Sequence, residues 1–339
     1  MMLRSAYLPG VFVVGALATL GCRGETDTST TSSSTGGQSS TGGGGVGGDA
    51  AGSGGGVAGC EGPVATIDGV TTGAFGVGAK ISVNGVVAMS QKFLVSKSST
   101  SNNCLWGVFV SSPGLTETQA DSGMIVLSYG TKATTGTDGK TYCSKLGQEP
   151  VGDKIPDNVK PGDVLDLVGV VSRFPDDPQC TAPDPVNKVG MLQLGQVCKA
   201  TITGTAPVPT PHTLTPTEVT SLSSTTDQAF HDKWGAVKVR TSGAVEPQGG
   251  MVVGDFGVIT LTNGVHIGDK VYYRGYSQNK CNDGPVFTDP AMTFTRVDGF
   301  HYLDYCTWGM QVDDKCADYD PQSGDCTSAT CPPDMLPGG

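Results

Sequence analysis

The sequence predicts an all-β protein, and three observations predict it. Glycine supplies 51 of the 339 residues, about twice ordinary usage, while charged residues are 16% against a usual quarter. Apolar residues in the body of the chain alternate or cluster in short runs and never hold a 3.6-residue period. One strand pattern also occurs twice, about 100 residues apart. Together these favour short strands joined by many turns.

The first element is an export signal. Residues 1–22 place Arg4 before a short apolar stretch from Ala6 to Leu20. About 15 apolar residues are too few to span a bilayer but suit a signal peptide over 1–21. The end of this stretch, Thr19, Leu20, Gly21, Cys22, resembles a bacterial lipobox, with Thr19 where that family prefers Leu. The resemblance implies a lipid on Cys22 and a membrane anchor. Cleavage after Ala18 is the alternative, giving a periplasmic or secreted protein with a free thiol. Cysteine parity favours the lipid: of 11 Cys, removal of Cys22 leaves Cys60, Cys104, Cys143, Cys180, Cys198, Cys281, Cys306, Cys316, Cys326 and Cys331, which can pair completely. In lipoproteins of this type Arg23 after the Cys fits sorting to the outer membrane or cell surface.

Residues 22–59 collapse to Gly, Ser, Thr, Ala and a few acids, so the sequence predicts a disordered tether spanning roughly 35 Å.

The body follows from Cys60. Its two copies of the repeat are Val159 to Gly169 and Val265 to Gly275, both V-x-x-G-D-x-h-x-h-x-G with h apolar. The Gly-Asp pair makes a turn, and the alternation after it makes a half-buried strand. Earlier strands are expected at 81–87 and 237–245. Further runs lie at 106–110, 124–127, 251–253 and 257–261, with closing strands at 189–194 and 285–287. This order resembles the OB-fold, a five-stranded Greek-key barrel. The resemblance implies two small barrels in tandem, over 60–205 and 206–312, with a Cys- and Asp-rich tail at 313–339. Two β-sandwiches are the alternative. The Pro-rich stretch 207–216 is expected to hold the barrels apart, and 218–233 to form one modest helix.

Several function classes lose ground at this stage. The net charge is −11, with no excess of Lys or Arg to track phosphates, which counts against nucleic acid as a main partner. The four His form no H-E-x-x-H pattern, and neither a G-x-S-x-G elbow, a Walker loop nor a C-x-x-C pair is present. The ten remaining Cys read as five disulfides, with Cys180–Cys198 and Cys281–Cys306 as candidate local bridges.

Two candidate sites stand out. In the second copy, inward Val237, Val239, Val271 and Tyr273 leave Lys238, Arg240, Tyr272 and Arg274 outward. An OB-fold sets its first and fourth strands side by side, so these four would form a basic and aromatic stripe for a sugar ring, a nucleobase or an anionic polymer. In the tail, Asp318, Asp320 and Asp325 offer spaced oxygen ligands that suit Ca2+, the one cofactor suggested; a plain solvated acidic tail is the alternative. The sequence thus predicts an anchored, non-catalytic module that binds an envelope or extracellular protein or glycan. The alternatives are a hydrolase of envelope polysaccharide with paired carboxylates, and an OB-type binder of extracellular nucleic acid.

Overall fold

A computed structural model describes residues 59–98, 101–137, 139, 141–144, 146, 150–174, 190–224, 226–246, 259–268, 271, 293–304, 307–314 and 317–321. The expected signal peptide, Cys22 and residues 23–58 of the expected tether lie outside them. The fold is all-β. In chain order the elements are β1 (Val64–Ala65), α1 (Ile67–Thr71), β2 (Lys80–Ala88), β3 (Phe93–Lys97), β4 (Asn103–Ser111), β5 (Gly123–Lys132), β6 (Thr134–Thr135) and β7 (Thr141–Tyr142). Then come β8 (Asp163–Phe174), β9 (Met191–Thr205), β10 (His212–Thr213), α2 (Pro216–Leu222), α3 (Gln228–Trp234) and β11 (Lys238–Val245). The chain continues through β12 (Ile259–Thr260), β13 (His266–Gly268), β14 (Phe294–Asp304), β15 (Thr307–Gln311) and β16 (Tyr319–Asp320).

The first sheet closes on itself. Its order β2–β8–β9–β5–β4 returns to β2, because Val87 and Ala88 also pair with Ser111 and Val110 of β4. One strand can serve two partners only if it bends. The bend lies between Val83 and Val86, where the register slips around Gly85 at φ 71°. A residue with a Cβ is strained there, so the glycine and the bulge together turn the strand. Inward residues Ile81, Val83, Val108, Val110, Met124, Val126, Leu165, Leu167 and Leu194 fill the interior.

The second sheet repeats the order of directions. β11 runs antiparallel to β14, β14 antiparallel to β15, β15 parallel to β13 and β13 antiparallel to β12. In the first sheet β2, β8, β9, β5 and β4 follow the same succession, with β9 and β5 as the parallel pair. Even the leading edge matches, since β1 is parallel to β2 and β10 is parallel to β11. Where β2 meets β4, the second sheet has Thr262 N donating to the carbonyl of Glu246, 2.7 Å away.

In the first copy of the sequence repeat, residues 163–169 open β8. In the second copy 266–268 form β13, and the strand expected after its Gly-Asp pair lies outside the described residues except for buried Val271. The long β14 and β15 were missed, while the runs expected at 251–253 and 285–287 lie outside the described residues. Part of the expected tail belongs to the sheet, because Tyr319 and Asp320 pair with Val297 and Arg296. β15 and β16 thus together face β14, as the unbroken β9 faces β8.

The two sheets are not held apart. Strands β4 and β5 are apolar on both faces, and their outer residues Phe109, Ile125 and Leu127 pack with Phe300, Tyr302, Leu303 and Trp308 in one buried cluster. A closed sheet with such an apolar outer face needs a cover, and the second sheet supplies it. The Pro-rich stretch is bound sideways instead of acting as a spacer: Thr210 N donates to Thr116 O at 2.9 Å and His212 N to Thr118 Oγ1 at 2.9 Å. The single helix expected over 218–233 is two, because Ser223 ends α2 and Asp227 caps α3 by accepting from Phe230 N. α2 opens on a capping box, Thr215 with Glu218, and Pro216 at its first turn.

Two disulfides are described. Cys60 bonds Cys198, and Cys104 bonds Cys143. The expected Cys180–Cys198 bridge is therefore wrong: Cys198 on β9 is bonded to Cys60 instead. Cys281, Cys306, Cys316, Cys326 and Cys331 lie outside the described residues. No described helix is long and apolar enough to cross a membrane.

Candidate functional site

The outer face of β11 carries Lys238 and Arg240, as the alternation around buried Val237 and Val239 requires. Neither cation is open for an anion. Lys238 Nζ lies 3.0 Å from Asp318 and 3.9 Å from Asp313. Its burial pushes the ammonium down, but Asp318, Asp313 and Asp298 outweigh this and raise it above its ordinary value. Arg240 grips Asp298 with two bonds, Nε to Oδ1 at 2.7 Å and a terminal nitrogen to Oδ2 at 2.8 Å. That forked hydrogen bond is the main reason its guanidinium is held even more firmly charged.

Of the expected stripe, Lys238 and Arg240 are placed on β11, while Tyr272 and Arg274 lie outside the described residues. β11 lies between β10 and β14. What it meets is an acidic partner set contributed by β14 and the loop after β15.

Of the proposed calcium ligands, Asp318 lies in that loop and Asp320 in β16. Asp318 Oδ2 accepts from the N–H groups of Asp313 and Asp314 at 2.9 and 2.8 Å, while Oδ1 takes Lys238. Both oxygens serve to fold the loop between β15 and β16. Asp320 Oδ2 accepts from Thr295 Oγ1 at 2.6 Å. Asp325 lies outside the described residues. Among the described residues no three His, Cys, Asp or Glu side chains come together as a metal cage.

Two buried polar clusters escaped the sequence reading. Lys92, between β2 and β3, has a side chain with no exposed surface. It donates to Asp153, to the carbonyl of Ile155 at 2.7 Å and to Asp157 at 2.6 Å. All three ammonium hydrogens are thereby used, and Nζ also stands 5.6 Å from the centre of the Trp106 ring. Burial raises the Asp153 carboxyl above its ordinary value, and Lys92 pulls against that rise. A Lys between two apolar strands is the only sequence trace of this clasp.

The second cluster joins α3 to the β14–β15 hairpin. His231 Nδ1 and His301 Nε2 are 2.8 Å apart, and Trp308 stacks on both rings, with centroids 4.0 and 4.6 Å away. Burial lowers both imidazoles, His231 to about 4. Nearby, His212 Nδ1 lies 3.0 Å from Glu117, and its ring stacks on Trp234 with centroids 4.9 Å apart.

No protein-family model, curated protein or solved structure matches this chain. Function therefore rests on the residues themselves. The described charges pair chiefly with one another, and the arrangement they make holds loops and helices against the two sheets.

Proposed function

We propose that this chain is an exported lipoprotein, anchored through Cys22 and carried on its Gly/Ser/Thr tether, that acts as a non-catalytic binding module of the cell envelope. Its body, on this reading, is two OB-type barrels packed as one unit. The observation that carries the proposal is the Cys60–Cys198 disulfide, which staples the point where the tether ends to the middle of β9. Disulfides persist in oxidising, extracytoplasmic compartments, and this one fixes the body at its anchored end. The shared strand succession of the two sheets supports the barrel reading, since an OB-fold runs its third and fifth strands parallel as β5 with β9 and β13 with β15 do.

The packing also weighs against nucleic acid. OB-folds bind oligonucleotides on the face of their second and third strands. In the first sheet those are β4 and β5, whose outer face is filled by Phe300, Tyr302 and Trp308.

The test uses the whole protein with isolated envelope polysaccharide and with duplex DNA. The proposal expects saturable sedimentation with envelope material, no release of reducing ends, and no DNA binding at physiological salt. Release of reducing ends, lost on substitution of an acidic pair, shows a hydrolase instead. DNA affinity that falls steeply with salt shows a nucleic-acid binder.

A further inference from the structure

His231 and His301 are among the most deeply buried polar residues, 1% and 0% exposed. Their inner nitrogens face each other at 2.8 Å. Each outer nitrogen faces a main-chain carbonyl: His231 Nε2 meets Ser224 O at 2.7 Å, and His301 Nδ1 meets Gly309 O at 3.1 Å. A carbonyl oxygen only accepts, so both outer nitrogens need a hydrogen to bond it. The inner contact needs one more. Two neutral imidazoles bring only two hydrogens to these three contacts.

We propose that the His231–His301 pair is a one-proton acid sensor built into the joint between α3 and the β14–β15 hairpin. In the neutral pair, His231 Nε2–H donates to Ser224 O and His301 Nε2–H donates to His231 Nδ1. The longest contact, His301 Nδ1 to Gly309 O, is left between two lone pairs. Acidification adds one proton from solvent to His301 Nδ1. No bond breaks, the chain of three hydrogen bonds becomes complete, and the pair carries a single positive charge.

The surroundings set when this happens. On α3, Asp227 and Asp232 favour the charge, and Asp232 is itself gripped by Arg173 of β8 at 2.6 Å. From β15 the pair meets Trp308 and Gly309, neither of which titrates. Burial opposes charge on either ring; at His231 it outweighs the two carboxylates, and at His301 it is reinforced by the neighbouring His231, so uptake falls below the range of a free imidazole. The site is well placed to report on the joint. Immediately after α3, Ala236 N donates to His301 O at 2.7 Å, and Ala236 is pressed against Gly123 of β5, where an added Cβ would stand 2.6 Å from the Ala236 carbonyl carbon. Because burial disfavours this charge in the closed joint, openings of α3 that expose the pair bind the proton more readily, so acidification raises their population beside the contact between the sheets.

The experiment is long-range 1H–15N spectroscopy of the imidazoles in the full-length protein, from about pH 7.5 to about pH 3.5, with amide exchange of α3 followed alongside. The expected result is one shared midpoint for both rings, well below 6.5, with His301 Nδ1 gaining its hydrogen and exchange in α3 rising at the same midpoint. His231→Gln, which keeps a donor for Ser224 O, removes the shared midpoint. Two separate midpoints, three ring hydrogens already present at pH 7.5, or global unfolding without any earlier change in the rings would each overturn the proposal.

Discussion

Phe109 of β4 and Phe300 of β14 lie ring on ring, 4.1 Å between centroids and 5° from parallel, each fully buried. Phe93 stacks behind Phe109 at 5.5 Å, and Tyr302 meets it edge-on at 5.8 Å. One aromatic column thus runs from the first sheet into the second.

Truncating the column should uncouple the sheets. Phe109→Ala and Phe300→Ala are each expected to cost about 3–5 kcal/mol, the usual range for a buried Phe. A double-mutant cycle by urea unfolding is expected to show coupling of about 0.5–1.5 kcal/mol between the rings. Additive losses would mean that the two rings do not support each other.

The column was partly legible in the sequence. The apolar runs at 106–110 and 124–127 marked strands close to β4 and β5, and the runs at 81–87 and 163–169 marked strands close to β2 and β8. What it did not supply was a reason for Phe109, Ile125 and Leu127 to be apolar on the opposite face as well. Two-sided apolar strands indicate a cover without naming it, and the cover here is β14, about 190 residues further on. The same gap hid the histidine pair, since His231 and His301 meet only once α3 folds over the hairpin. Lys238 and Arg240 were placed on the correct face, but their acidic partners come from β14 and from the loop before β16, which no local pattern links to β11.

The Lys92 clasp should be asymmetric under mutation. Lys92→Met leaves Asp153 buried without its cation and is expected to lose about 3–5 kcal/mol. Adding Asp153→Leu should recover much of that loss, because it removes the stranded carboxylate. Chemical denaturation of the two variants decides the point: a double variant as unstable as Lys92→Met would show that the clasp holds loop 151–159 by more than charge.

Stability should fall on the acid side of neutrality. Burial depresses the folded-state values of His231, to about 4, and of His301. The unfolded chain then binds more protons than the folded one below about 6.5, so stability is fully present above that pH and is lost as pH falls toward about 4. Calorimetry across this window should show the midpoint temperature dropping, with a shallower drop in His231→Gln. An equal slope in the variant would assign the loss to other groups.

The disulfides should contribute unequally. Cys60–Cys198 closes 138 residues and Cys104–Cys143 closes 39. Loop entropy then assigns about 5 kcal/mol to the first and about 4 kcal/mol to the second. Paired Cys→Ser variants compared by urea unfolding should rank in that order, and a reversed order would point to native-state relaxation outweighing loop length.

The central claim is an anchored, oxidised body outside the cytoplasm, and intact mass spectrometry of protein from its own membrane fraction, with and without reductant, tests it most directly. The account predicts a chain beginning at Cys22 with a diacyl or triacyl mass, and a gain on reduction of about 10 Da for ten paired cysteines. An unlipidated mass beginning after Ala18, or a mass unchanged by reductant, would contradict it.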